Sequence, residues 1–178
     1  MQRKCLKLIF SCGLIGIGLI IGLFLYSLQW KCLDFVYKPY PFYGGFAKEL
    51  SEAMQRHGYI LQCPDMFPKT KMYFLQTEHL NVLPKVDPNP RHLKIAFLDD
   101  CAEIGIDVGY LHQFDMLLVV DEFQNGYLSS FNFRTAHFPL NDENEKFCAT
   151  NYRKHRIDTP KLAQRLDDII QGARHEKF

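Results

Sequence analysis

Met116-Leu117-Leu118-Val119-Val120-Asp121-Glu122 is an unbroken apolar run that stops on two acids. A strand with one face in water alternates apolar and polar residues, whereas a run apolar at every position fits a strand buried on both faces of a parallel sheet. Upstream, Leu93-Lys94-Ile95-Ala96-Phe97-Leu98 reads as another strand, also ending on acids, Asp99-Asp100. A short helix over 107–113 joins the two, and a helix over 122–130 leads to a further strand at 135–138, closed by Pro139. Working toward the N-terminus, residues 72–75 form a short strand amid prolines, and 33–37 and 59–61 are strand-like. Between the last two, Phe46, Ala47, Leu50, Ala53 and Met54 recur at helical spacing, and Gly58 supplies the stop. Toward the C-terminus, 146–149 reads as a strand. Thr159-Pro160 opens a helix with an apolar stripe at Leu162, Ala163, Leu166, Ile169 and Ile170, which Gly172 is expected to end. Strands alternating with helices predict an α/β class: a Rossmann-like, mostly parallel sheet with flanking helices, over residues 31–178.

Residues 8–30 contain no Asp, Glu, Lys, Arg or His. About 20 apolar residues suffice to cross a hydrocarbon core of roughly 30 Å, so this stretch predicts one N-terminal transmembrane helix behind a tail of residues 1–7. A cleaved signal peptide would have a shorter apolar region ending in small residues. Here the end is Phe24-Leu25-Tyr26-Ser27-Leu28-Gln29-Trp30, bulky and aromatic as in an interfacial anchor. Arg3, Lys4 and Lys7 before the segment, against Lys31 and Lys38 after it, place the N-terminus in the cytoplasm and the domain on the non-cytoplasmic side. Gly18 and Gly22 form a GxxxG spacing that would let two such helices approach closely in a homodimer.

The chain has 178 residues and a formal net charge of +1, a balance that does not suggest a nucleic-acid scaffold. Of its 6 cysteines, Cys32, Cys63, Cys101 and Cys148 follow the apolar segment. They could form two disulfides in an oxidising compartment, but buried thiols are the expectation, and no pair forms the CxxC of a zinc site. GxSxG, HExxH, Walker and kinase signatures are all missing from the sequence, and neither metal nor cofactor is expected.

Parallel sheets bind ligands at the carboxyl ends of their strands, and three motifs fall at such ends. Gly44-Gly45 lies between the first strand and first helix, where glycine admits an anion or sugar to backbone N–H groups, or simply makes a turn. Asp99-Asp100 and Asp121-Glu122 offer carboxylates for general-base work or for sugar hydroxyls, and equally cap helices. Arg153, Lys154, His155 and Arg156 precede the last helix as a cluster able to hold a phosphate, or as a solvated basic turn. Glu78-His79, in the loop-rich middle, is a further acid–base pair if the two side chains meet.

The turn Phe42-Tyr43-Gly44-Gly45, a helix containing Glu49-Leu50, and Gly58-Tyr59 leading into a strand resemble the opening of glycosyltransferases built from two Rossmann-like halves, the GT-B fold. Phe114-Asp115 before the 116–120 strand, Glu122, and Phe138-Pro139-Leu140 are similar to the later part of that N-terminal half. Residues 146–152 with Arg153 and Arg156 look like the entry into the second half, most of which this sequence does not contain. The resemblance implies a glycosyltransferase-like protein contributing a sugar- or acceptor-binding half-site, completed by a protein partner or a second copy. Asp99 and Glu122 would be its catalytic carboxylates; Gly44, Gly45, Arg153 and Arg156 would bind a nucleotide sugar or glycan. The alternative is a non-catalytic, membrane-anchored interaction domain on the same scaffold, since one fold serves many functions.

Overall fold

A computed structural model describes residues 13, 15–22, 31–36, 41–75, 83–98, 107–120, 122–138 and 159–177, with backbone only for 41–45 and 159. Six strands form one sheet: β1 (Cys32–Val36), β2 (Ile60–Leu61), β3 (Thr70–Leu75), β4 (Leu93–Leu98), β5 (Met116–Val119) and β6 (Thr135–His137). Every neighbouring pair is parallel, in the order β2-β1-β3-β4-β5-β6. The helices described after residue 31 are α1 (Pro41–Arg56), α2 (Val108–Leu111), α3 (Glu122–Ser130) and α4 (Thr159–Lys177). The α/β class is therefore as expected, with a sheet that is parallel throughout.

Alternation along the strands feeds two cores. Leu33, Met72, Phe74, Ile95, Phe97 and Leu118 pack under α1 and α4. Tyr73, Leu75, Ala96, Leu98, Leu117 and Val119 face the other way, where Val86, Leu111 and Phe133 cover them. Burial on both faces is why β5, and β4 from Ile95 to Leu98, read as continuous apolar runs. Phe46, the first residue of the apolar stripe of α1 and fully buried, meets Phe74 edge-on at 6.2 Å and Phe97 at 5.9 Å. Phe97 in turn meets Phe138 at 6.4 Å, so one aromatic row ties β3, β4 and the end of β6 to α1.

Several boundaries differ from expectation. Helix α1 starts at Pro41, so Gly44-Gly45 lie in its first turns and not in a preceding turn. Gly58 does end the helix, with φ +83°. Gly172 does not end α4, which continues to Lys177. The tertiary contacts of the last turns outweigh one glycine's propensity: Ala173 is fully buried, Arg174 bonds the backbone of β1, and Lys177 bonds His92 O. Residues 15–22 are helical, with Ile15, Leu19 and Ile20 exposed. Among the described residues no helix is long and apolar enough to cross a membrane, and most of 8–30 lies outside them. The strand expected at 146–149 also lies outside the described residues.

Cys32 and Cys63 form a disulfide with Cα atoms 5.9 Å apart, correcting the expectation of buried thiols at these two positions. Cys32 opens β1 and Cys63 follows β2, so the bond closes the whole β1-α1-β2 unit, a sequence separation of 31. Loop-closure entropy for a ring of that length is worth roughly 3–4 kcal/mol. Urea unfolding of the full chain should accordingly lose about that much stability in Cys63→Ser or in reductant. An unchanged midpoint would mean that the bond contributes nothing to folding.

Candidate functional site

The strand order reverses between β1 and β3: β2 lies on one side of β1, and β3 to β6 extend on the other. In parallel α/β sheets such a reversal is where a ligand crevice forms, because successive crossovers lie on opposite faces; here α1, after β1, packs on one face, and Leu83 and Val86, after β3, pack on the other. Helix α1 follows β1, and its first turns, with Gly44 and Gly45, stand at that rim. Glu122 is the first residue of α3, exposed, and on the same rim beyond β5. A carboxylate there also favours the helix dipole, so Glu122 has a structural use independent of any ligand. His137, at the end of β6, bonds Val120 O through Nε2 at 3.0 Å, and its own carbonyl accepts from Arg165 at 2.9 Å. Asp99, Arg153, Arg156 and the pair Glu78-His79 lie outside the described residues. The rim thus carries three of the six expected site residues, Gly44, Gly45 and Glu122.

The described side chains place most of their buried charge at the opposite rim. Lys69, buried just before β3, pairs with Asp34 of β1, with Asp65 Oδ1 at 2.9 Å, and with Cys63 O. Two residues on, and therefore on the same face, Lys71 pairs with Asp87 and reaches Asp65 at 3.3 Å. Asp87 also accepts from the Asn89 N–H at 2.9 Å and lies 2.9 Å from Nδ1 of fully buried His92. Ligand atoms of Asp65, Asp87 and His92 lie within 4.8 Å of one another, close enough for a cation. The ammonium groups of Lys69 and Lys71 already bring the positive charge to these carboxylates, so the trio works as an ion-pair network.

A second network joins α4 to the sheet. Asp167 accepts from Tyr59 OH at 2.6 Å, from Lys31 Nζ at 2.9 Å and from Gln171 at 3.2 Å. Arg174, buried, donates to Cys32 O at 3.2 Å and Thr70 Oγ1 at 2.9 Å. Burial pushes the Tyr59 phenol far up, helped by Asp167, and lowers the Arg174 guanidinium to about 10. Neither network was expected from the sequence, although Lys31, Tyr59 and the two cysteines were noted there for other reasons. The available signals were weak: Asp34 within an apolar strand, and Lys69 and Lys71 at the period of two that puts both on one face.

Burial raises the Asp87 and Asp167 carboxyls, but their hydrogen bonds outweigh it and hold both below the usual range: Lys71, Asn89 and His92 at Asp87, and Tyr59, Lys31 and Gln171 at Asp167. A carboxyl depressed on folding stabilises the fold above its unfolded value of about 4 and loses that contribution as pH falls below it. Urea midpoints should therefore fall steeply below about pH 4, and less steeply in Asp167→Asn, which has no group to protonate there. Identical pH slopes for the two proteins would show that Asp167 is not coupled to folding.

No protein-family model, no curated protein and no solved structure matches this chain, so the reading of its site rests on the geometry above.

Proposed function

We propose that the chain is a membrane-anchored, glycosyltransferase-like protein that binds a nucleotide sugar or glycan in the crevice beyond β1 and β3. The observation that carries this reading is the reversal of strand order at that point, the place where parallel α/β sheets hold ligands. The position of Gly44 and Gly45 in the first turns of α1 supports it, because helix N-terminal N–H groups favour anions and polar oxygens. In this reading Glu122 and Asp99 supply the carboxylates, Arg153 and Arg156 meet the diphosphate, and a partner or second copy completes the site. Residues 8–30 form the single-pass anchor. The Cys32–Cys63 disulfide supports a domain on the non-cytoplasmic side, since such bonds persist in oxidising compartments.

One observation favours the interaction-domain alternative. Phe123 and Tyr127 of α3 and Phe131 just after it recur every four residues and are 74%, 38% and 46% exposed. Such an aromatic stripe is a surface that a protein partner could cover.

Thermal unfolding of the full chain in detergent, against a panel of nucleotide sugars and nucleoside diphosphates, separates the two. A true donor at 100 times its dissociation constant should add about 2.7 kcal/mol, and Arg153→Ala should abolish the shift. No shift with any member of the panel would leave the interaction domain as the better reading.

A further inference from the structure

We infer that the amino rim of the sheet, with Ile60, Met66 and Phe131 as apolar contacts, lies directly on the lipid surface, turning the β1/β3 crevice away from the membrane. This inference rests on the reading of residues 8–30 as the anchor.

Chain connectivity carries the argument. The apolar segment ends at Trp30, and β1 begins at Cys32, with Lys31 alone between them. Two Cα steps span at most about 7–8 Å, so the start of β1 cannot leave the interface. Ile60 stands level with it, its N–H bonded to Lys31 O at 2.8 Å. Because every strand is parallel to β1, all six amino ends share this rim.

The rim's surface suits lipid. Ile60, Met66 and Phe131 are 43%, 75% and 46% exposed. Ile60 begins β2 at one edge of the sheet, and Phe131 ends the α3 connection entering β6 at the other. Met66 lies between them, in the loop whose Asp65 carbonyl sits 3.3 Å from His92 Nε2, just before β4. Five strand spacings separate the two edges, roughly 24 Å, so the three contacts form a broad footing rather than one patch. Arg56, ending α1, and Arg91, just before β4, are exposed on the same rim and suit lipid phosphates. The exposed Asp65 there is already met by Lys69 and Lys71. The carboxyl ends are held one strand length outward, open to soluble ligands.

The test uses the full chain in phosphatidylcholine vesicles with dibrominated acyl chains. Trp30, the sole tryptophan, is replaced by Phe, and one new tryptophan is placed by Met66→Trp, Phe131→Trp or Phe123→Trp. Side chains at a membrane interface reach about 5–10 Å into the headgroup–acyl boundary, so positions 66 and 131 should lose about half their emission while 123, at the far end of α3, loses little. Vesicle flotation is measured on the same samples. Chain that floats but is quenched no more at 66 and 131 than at 123 overturns the docked rim and leaves the anchor standing. Chain that does not float overturns both.

Discussion

Lys69 is the residue on which the amino end of this domain depends. Its ammonium group is buried and touches Asp34 on β1, Asp65 in the β2–β3 connection and the carbonyl of Cys63. Taking such a charge out of water costs several kcal/mol, and only the surrounding oxygens recover it. The strands and the connection must therefore stay together for the lysine to be tolerated at all. Register follows from the same contacts: Leu33 pairs with Thr70 and Asp34 with Lys71, next to the lysine that binds Asp34. Arg174 adds a second buried cation within the same few residues, bonded to Cys32 O and Thr70 Oγ1.

The two ends of the sheet thus have different physical characters. The amino end is crosslinked by a disulfide, buried cations and the Asp167 network, which ties the last helix to Lys31 and Tyr59. The carboxyl end is built on aromatic packing, with Phe46 of α1 against Phe74 and Phe97 of the sheet. A parallel sheet permits its two ends to differ in this way, because all its strands point one way.

The sequence made the interior strands plain, since β5 and the stretch of β4 from Ile95 to Leu98 bury both faces and are apolar throughout. Helix α1 and its stop at Gly58 were equally legible from spacing and a residue suited to positive φ. The strand order, by contrast, depends on contacts between distant segments. Gly172 shows how such contacts override local preference: α4 passes through it because Ala173, Arg174 and Lys177 gain partners beyond it. The charged networks were hidden for the same reason, Lys31 and Asp167 being 136 residues apart. Of the expected site, only Gly44, Gly45 and Glu122 fall on the described rim, and the glycines moved from a turn into a helix because α1 begins at Pro41.

The bond between Cys32 and Cys63 also governs how the domain could be shed. A protease cutting anywhere between these cysteines divides the polypeptide but leaves both pieces covalently joined. Under the anchored reading, the soluble part would then stay attached to its membrane segment. Release of the whole domain in one piece would require a cut before Cys32, whereas a cut after Cys63 would free only the residues that follow it.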